Sequence, residues 1–290
     1  MNKEIKIISI KDEIYPNPLK EIKDPPEILY CLGEIVPQEN CFAIVGARKC
    51  SNYGKEIAWQ IASGLVEAGL TVVSGFAPGI DTIAHKAAIE KRKRTIAVLG
   101  TGLDEKSIYP KSNLKLIDKI LENGGAIISE FPPGTHGTKY TFPRRNRIIA
   151  GLCLGVLVVE AKVQSGALIT ANYAKEQKRK VFAVPGSIFS SQSKGCHFLI
   201  KNGAKLVETT EDILGELGFE NLKMKEKKME GKTPEENLIL EILREGPLDI
   251  EKIIERTKLS PSKVASLISV LEIEGKIKNL GGRIYAISNR

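Results

Sequence analysis

From residue 41 onward, short apolar runs alternate with segments in which apolar residues recur at helical spacing. The runs at 41–47, 95–100 and 155–161 are almost continuously apolar, which is typical of strands buried on both faces of a parallel sheet. The stretches between such runs place apolar residues along one face of a helix. This alternation predicts an α/β fold, with a Rossmann-like, doubly wound, mostly parallel sheet over residues 41–218.

A different pattern occupies the rest of the chain. Residues 219–232 are rich in Lys and Glu and have no apolar stripe, so we predict a linker there. Residues 233–290 contain three helical patterns followed by two short strand patterns that meet at a Gly-Gly turn, which predicts a small C-terminal winged-helix domain, a winged helix-turn-helix. Residues 1–40 include four prolines between positions 16 and 26, and we predict an irregular lead-in with at most one short helix or strand.

Composition narrows the classes of partner and site. The 43 Lys and Arg residues against 35 Asp and Glu give a net charge of +8, which favours a polyanionic partner. Five cysteines without a C-x-x-C pair argue against a disulfide framework and a zinc site, so we expect no metal. Charged residues are scattered through the N-terminal apolar positions and the longer apolar runs are strand-sized, so we expect a cytoplasmic protein with no membrane span.

Candidate binding residues follow the predicted strands. Ligands of open parallel sheets bind beyond the carboxyl ends of the strands, where loops lead into helix N-termini that favour anions. In this chain those loops combine glycines, hydroxyl groups and cations. The candidates are Gly46, Arg48, Ser51, Gly75, Gly79, Ser165, Gly166, Thr170 and Lys194. A row of anion sites along one rim suits a polymer better than one small ligand.

Two neighbouring signals have simpler explanations. The sequence after the third parallel strand begins as G-x-G but lacks the third glycine and the following helix of a dinucleotide fingerprint, so we expect no cofactor. Asp81 stands near a predicted helix start, where a cap explains it, and His85 has no second ligand at metal spacing. We therefore interpret Asp81 and His85 as structural.

The segment 141–151, "TFPRRNRIIAG", carries the densest positive charge. We predict a long loop up to the arginines and an apolar helix-like run from residue 147. Residues 131–159 contain no Asp or Glu, so these cations have no acidic partner nearby in sequence. Cations that track phosphates and rings that stack on bases suit single-stranded nucleic acid. The candidates in this segment and just before it are Lys139, Phe142, Arg145, Asn146 and Arg147.

Motifs spread over residues 25–214 now indicate a family. "IVGARKCSNYG", "VVSGFAPGIDTIAHKAA", "FPRRNRIIAGL" and "VVEAKVQSGALITA" occur in the order and spacing of the bacterial DNA-processing protein A family, DprA or Smf, which this chain resembles. The resemblance implies a homodimer that is not an enzyme and that acts in natural transformation. Such a protein binds and protects incoming single-stranded DNA and helps load the RecA recombinase. It implies a phosphate site at Gly46 and Arg48, and it leaves Arg144 at a variable position.

The chain departs from the family pattern at three positions. Ala47 and Ala167 stand where hydroxyl residues are usual, which implies the loss of two contacts to DNA, and Lys178 replaces a usual glycine. We expect DNA binding with altered strength, because backbone N–H groups and arginines remain.

Two other functions stay open at this stage. A nucleotide phosphoribohydrolase of the LOG type shares this kind of Rossmann variant, but the chain lacks the corresponding "PGGxGTxxE" element. A winged-helix transcription regulator would use the helix after Ser260, which offers only Lys263 and a few serines to a major groove. That domain could instead contact a partner, a second subunit or duplex DNA through a wing with Lys276, Lys278 and Arg283.

Overall fold

A computed structural model describes residues 4–219 and 231–288, which form two compact units. The first unit contains a nine-stranded sheet in the order β1-β2-β6-β5-β4-β3-β7-β8-β9. Its strands are β1 (Lys6–Ser9), β2 (Ile28–Gly33), β3 (Cys41–Val45), β4 (Thr71–Ser74), β5 (Thr95–Val98), β6 (Ala126–Ser129), β7 (Gly155–Val158), β8 (Lys180–Ala183) and β9 (Lys205–Leu206). The seven strands from β3 to β9 are mutually parallel, which confirms the predicted doubly wound α/β fold.

Helices cover both faces of this sheet. Right-handed crossovers from β3 to β4 and from β7 to β8 run in opposite directions from the middle of the sheet, so their helices lie on opposite faces. The helices are α1 (Asn17–Lys20), α2 (Asn52–Glu67), α3 (Ile80–Glu90), α4 (Leu114–Glu122), α5 (Thr141–Gly151), α6 (Gly166–Glu176), α7 (Lys194–Lys201) and α8 (Thr210–Glu216). On one face α2 packs against α3, and on the other α5 packs against α6.

The predicted irregular lead-in is wrong in one respect. Strands β1 and β2 pair antiparallel with each other, and β2 continues the sheet antiparallel to β6. The prolines lie outside both strands, so they remove no ladder hydrogen bond. Tyr15 is fully buried and donates its hydroxyl to Pro26 O at 2.7 Å, which ties the turn between the strands to the core.

The arginine segment is helical from an earlier residue than predicted. Helix α5 begins at Thr141, and the side chain of Thr138 accepts hydrogen bonds from the N–H groups of Tyr140 and Thr141. Pro143 falls in the first turn, where a missing N–H is not needed by the helix. The arginines are therefore held on a rigid helix rather than on a loop.

The second unit is a winged helix. Its elements are α9 (Pro234–Arg244), β10 (Leu248–Asp249), α10 (Ile250–Thr257), α11 (Pro261–Ile273), β11 (Ile277–Gly281) and β12 (Ile284–Ile287), with the sheet order β10-β12-β11. Thr233, Asp249 and Ser260 cap the three helices through their side chains. The predicted linker lies outside the described residues except at its ends.

Candidate nucleic-acid interface

The carboxyl ends of six parallel strands form one rim of the first unit. Because β6, β5, β4, β3, β7 and β8 are neighbours in that order, the loops that follow them stand in a row. Backbone contacts join these loops. Gly102 donates to Thr135 O at 2.8 Å, Ile80 donates to Ala47 O at 3.2 Å, and Ala161 donates to Gln192 O at 2.7 Å. These contacts tie neighbouring loops together in pairs. We call the surface that the loops form at this edge of the sheet the rim.

Glu160 fixes the loop after β3. Its carboxylate accepts hydrogen bonds from Ser51 N at 2.8 Å and from the Ser51 hydroxyl at 2.6 Å. The same Ser51 hydroxyl accepts a hydrogen bond from Gly54 N at 3.0 Å and so caps α2. Ser51 is thus engaged in building the loop, and Glu160, which is buried, serves as its anchor.

Gly46, Gly75 and Gly79 allow backbones to approach closely at the centre of the rim. Gly79 has a φ of 81°, and a Cβ there would come 2.6 Å from Arg48 O and closer still to Ala47 O. A Cβ on Gly46 would meet Ile80, and one on Gly75 would meet Asp81 and Arg145. The absence of a side chain at these glycines therefore allows the loops of the rim to pack closely together.

A groove of about 430 Å³ lies at one end of the rim. Arg48, Tyr109, Lys139 and Phe142 line it, and Lys106, Lys111 and His136 add further nitrogen-bearing side chains. The guanidinium of Arg48 lies 5.6 Å from the ring centroid of Phe142, and the Tyr109 and Phe142 ring centroids are 6.0 Å apart. Cations and aromatic rings therefore share one groove, as single-stranded nucleic acid requires.

Phe142 is half-buried in this groove. A Cβ on Gly100 would come 2.8 Å from its ring, and one on Gly137 would come closer. The ring is thus held between two glycine-containing loops, with Arg48 near its face. Tyr109 and Tyr140 are more exposed, although the ammonium group of Lys139 lies 5.2 Å from the Tyr140 ring centroid.

Arg145 lies beneath the rim and is buried. Its guanidinium donates to Gly75 O at 2.6 Å and to Val98 O, so it joins the ends of β4 and β5. The pKa of Arg145 is lowered to about 10, chiefly by burial; the nearby Asp81 opposes this shift, and the positive charge of Arg48 adds to it. Arg145 therefore supports the rim from below and places its charge close to Arg48.

Arg147 has acidic partners that the sequence order conceals. Its guanidinium is buried and pairs with Glu130 at 2.7 Å and with Asp24 at 3.1 Å. Glu130 just precedes the acid-free segment, and Asp24 comes from the N-terminal region. The expectation of unpaired arginines is wrong here, because the fold brings together residues that are distant along the chain. Arg144, with 58% of its side chain exposed, also pairs with Glu130, at 3.2 Å.

Four further candidates lie where α5 meets α6. The Asn146 amide donates to Gly166 O at 3.2 Å, and the Thr170 hydroxyl donates to the same oxygen at 3.4 Å. Asn146 and Thr170 are buried, Ser165 is half-buried, and Gly166 is exposed. These residues hold the start of α6 at the rim. Ala167 is also buried, so it offers little surface to a ligand.

Exposed cations without acidic partners occur along the rim. In the part of the chain that the structure describes, the following side chains are exposed and make no ion pair: Arg48, Lys49, Lys106, Lys139, Lys162 and Lys194. Their backbones belong to the loops or helix starts that follow β3, β5, β6, β7 and β8. This set can meet a phosphate chain that crosses the sheet.

Sequence reasoning missed several groove residues and supports. Tyr109, Lys106 and Lys111, which line the groove, come from the loop after β5 and are not among the residues predicted from the sequence. Asn113 is buried and donates to Phe76 O at 2.9 Å, so it holds the glycine-rich loop after β4. The "YPKSN" run and the positive charge around it were the available signals.

His85 is a structural residue. It is buried with its Nδ1 2.8 Å from the Thr95 hydroxyl, and burial lowers its pKa to about 3. Within residues 4–219 and 231–288, no three His, Cys, Asp or Glu side chains are grouped as metal ligands would be. None of the helices in those ranges has the length and apolar character needed to cross a membrane.

The winged-helix unit presents little positive charge on its third helix. Lys263 of α11 pairs with Glu235 at 2.6 Å. The exposed positions of α11 include Ser266, Ser269 and Ile273, and Ile273 is 86% exposed. The exposed cations Lys278 and Arg283 lie on the wing formed by β11 and β12.

Comparison with protein families gives two matches along the chain. The family described as DNA recombination-mediator protein A matches residues 6–218, and the DprA winged helix domain matches residues 225–283. The chain is 49% identical over 212 residues to DNA processing protein DprA of Streptococcus pneumoniae, which covers 73% of this chain and 74% of the relative. It is 46% identical over 214 residues to protein Smf of Escherichia coli, covering 73% of this chain but 57% of that relative.

Solved structures agree with these matches. The X-ray structure of DNA processing protein A from Streptococcus pneumoniae superposes with a TM-score of 0.67 at 46% identity, covering 73% of this chain and 74% of that one. A structure of DNA processing protein A from Helicobacter pylori, described for its single-stranded DNA binding mode, gives a TM-score of 0.66 at 29% identity. The match covers 76% of this chain and 99% of that one.

Proposed function

Because this chain belongs to the DNA recombination-mediator protein A family, known as DprA or Smf, we propose that it binds single-stranded DNA along the rim. The observation that carries the proposal is the row of unpaired cations that ends in a groove with aromatic rings. Cations attract phosphates regardless of sequence, and rings stack on any base. Binding is therefore sequence-tolerant.

Single-stranded DNA suits the groove better than a duplex. In a duplex the bases are stacked within the helix, so their faces are closed to Tyr109 and Phe142. In a single strand the bases can turn toward these rings while the phosphates follow Arg48 and Lys139. The Helicobacter pylori relative is described with a single-stranded DNA binding mode, which supports the same ligand here.

The side chains divide into two layers. Arg48, Lys139 and Lys194 are exposed and meet phosphates directly, and Phe142 offers part of its ring to a base. Arg145, Asn146, Arg147 and Thr170 are buried and hold the loops and helix starts in position. Gly166 and Ser165 at the start of α6 provide a backbone N–H end that favours a phosphate.

The cellular role that we propose follows the family resemblance. The protein acts in the cytoplasm during natural transformation, where it protects incoming single-stranded DNA and helps load RecA for homologous recombination. It acts as a homodimer. The family description, DNA recombination-mediator protein A, and the name of the relative, DNA processing protein, support a role in DNA metabolism.

A nucleotide-cleaving activity is the alternative with a specific residue in its favour, Glu160 at the end of β7. Both oxygens of that carboxylate accept hydrogen bonds from Ser51, which occupies them in holding the loop after β3. The names of the curated relatives mention no catalytic activity. We therefore favour binding over catalysis.

The decisive experiment is a fluorescence titration of labelled oligothymidylate and a matched duplex at several salt concentrations. We expect tighter binding of the single strand. The logarithm of the Kd should rise with the logarithm of the salt concentration with a slope of about 0.7 per phosphate contacted. Arg48→Ala and Lys139→Ala should weaken binding and reduce the slope, because each removes a phosphate contact. Lys119→Ala, on α4 away from the rim, is the matched control.

Equal affinity for single strand and duplex at moderate salt would contradict the proposal. Incubation with nucleoside monophosphates tests the alternative. Steady release of free base would favour the enzyme instead.

A further inference from the structure

The loop after β8 projects an aromatic ring into solvent at the other end of the rim. Phe189 is 93% exposed and its neighbour Ile188 is 65% exposed. Among the described residues no other large apolar side chain is as exposed as Phe189. Removing the apolar surface of an aromatic ring from water is favourable, so a ligand that covers this ring gains affinity.

The loop is built to hold this ring outward. A turn closes beneath it, because Ser190 N donates to Ser187 O at 3.0 Å and Phe189 N donates to the Ser187 hydroxyl at 3.3 Å. The start of the loop is anchored where the Tyr53 hydroxyl donates to Pro185 O at 2.8 Å. The Phe189 ring therefore lies at the tip of a hydrogen-bonded turn.

Unpaired lysines surround the base of the same loop. The Gln192 amide donates to Lys49 O at 2.7 Å, which joins this loop to the one after β3. A Cβ on Gly195 would come 2.8 Å from Lys162 O, so the loop after β7 is equally close. Lys49, Lys162 and Lys194 thus lie next to the loop, and this charge favours an anionic occupant.

The spacing along the rim matches a short oligonucleotide. The groove with Tyr109 and Phe142 follows β5 and β6, and Phe189 follows β8, four strand positions from β5. At about 4.8 Å per strand the two aromatic sites are roughly 19 Å apart. A single strand with bases about 3.4 Å apart when stacked, and about twice that when extended, spans this distance with roughly three to six nucleotides.

We propose that Phe189 is a second base-stacking site, so that one DNA strand is held by aromatic rings at both ends of the rim and by cations between them. This inference rests on the proposed function and extends it to a residue outside the motif segment at 139–147. The ring stacks on a base, and Lys49, Lys162 and Lys194 neutralise the adjoining phosphates.

The test uses the full chain with Phe189 replaced by Ala, Leu or Trp. Oligothymidylate of about 12 nucleotides spans both sites, whereas one of about 2 nucleotides is too short to reach from one site to the other. Phe189→Ala should raise the Kd of the longer oligonucleotide by roughly fivefold or more and that of the shorter one by less, because stacking of one base is lost. Phe189→Leu should resemble Phe189→Ala, since it restores apolar area without a ring.

Phe189→Trp supplies a direct signal. It should bind like the unaltered protein, and its added tryptophan fluorescence should be quenched on saturation, with the unaltered chain and its single Trp59 as the blank. Ile188→Ala, next to the ring on the same turn, is the matched control and should change Kd less than about twofold.

Unchanged affinity of Phe189→Ala for the longer oligonucleotide, together with unquenched Phe189→Trp, would overturn the inference while the proposed function stands. A changed oligomeric state of Phe189→Ala with unchanged DNA affinity would overturn it too, in favour of a protein contact. Absence of single-stranded DNA binding by the unaltered protein would instead refute the proposed function.

Discussion

Arg48 and Arg145 lie close enough for their positive charges to affect each other, but only Arg48 is exposed. Arg145 is satisfied by carbonyl oxygens at the ends of β4 and β5. A buried cation held in this way orders the loops above it and adds to their positive potential without reaching a ligand. The two arginines therefore contribute to the same rim through different contacts.

Arg147→Ala should destabilise the fold rather than remove a DNA contact. Loss of its guanidinium leaves Glu130, whose side chain is 7% exposed, without its main partner. We expect the free energy of unfolding to fall by about 3 to 5 kcal/mol. Denaturant unfolding measures this loss. Under conditions in which Arg147→Ala is folded, it should bind oligothymidylate almost as tightly as the unaltered protein does.

The neighbouring arginine provides the control for that experiment. Arg144→Ala removes a guanidinium that is 58% exposed while Arg147 still pairs with Glu130, so it should cost less than about 1 kcal/mol. If Arg147→Ala unfolds like the unaltered protein yet binds DNA poorly, its guanidinium reaches the ligand.

Asp81 should make stability depend on pH in a measurable way. Burial raises the pKa of Asp81 from 3.8 to about 6. Between these values the folded state holds a proton that the unfolded chain has lost. The contribution of Asp81 is therefore present at low pH and lost as pH rises through about 6. Compared with Asp81→Asn, the unaltered protein should lose on the order of 1 kcal/mol per pH unit over this range.

Urea unfolding of both proteins at several pH values between 4 and 7 measures the difference. His85 acts in the opposite direction, because its lowered pKa causes stability to be lost as pH falls below 6.5 toward 3. His85 is present in both proteins, so its effect cancels in the comparison. A difference that stays constant with pH would show that Asp81 is ionised throughout.

At the scale of elements, the sequence predicts those strands and helices that are determined by local sequence patterns. Continuous apolar runs and helical spacing identify strands such as β3 and helices such as α2, because burial of each element repeats with its own period. The start of α5 depends on Thr138 and on a proline that is tolerated in the first turn. The local sequence pattern predicts a loop there instead. The ion pair of Arg147 with Asp24 depends on tertiary structure that no spacing reveals.

Two glycines with positive φ should respond differently to substitution. Gly79 and Gly69 have φ values of 81° and 88°, so alanine at either position adopts an unfavourable conformation. The ψ of −129° at Gly79 lies near a region that is essentially open to glycine alone, where the strain costs on the order of 1 to 3 kcal/mol. Only at Gly79 would the new Cβ meet the backbone of the loop after β3, while nothing lies within 4 Å of Gly69. Gly79→Ala should therefore also shift that loop and weaken DNA binding.

Thermal unfolding and oligothymidylate titration of both variants test this difference. Gly69→Ala is expected to lose some stability but keep its Kd. Equal losses of DNA affinity in both variants would mean that the close approach at Gly79 is unimportant for the rim.

At the scale of the whole molecule, the two units present their positive charge differently. The rim of the first unit carries a row of unpaired cations, whereas several cations of the second unit are paired with acids. Those pairs are Lys232–Glu274, Arg256–Glu245, Lys263–Glu235 and Lys276–Glu274. A cation already paired with a carboxylate gains less from a phosphate, so the first unit should supply most of the affinity for single-stranded DNA.

A chain ending at residue 219 tests this division. Its nine-stranded sheet and its hydrophobic core are formed within residues 4–219, so circular dichroism should show a folded protein. We expect the salt slope to be unchanged and the Kd for oligothymidylate to stay within about threefold, because the rim phosphate contacts are all retained. A loss of more than about tenfold, with a smaller slope, would show that the winged helix contacts phosphates itself, with Lys278 and Arg283 on its wing as the first residues to substitute.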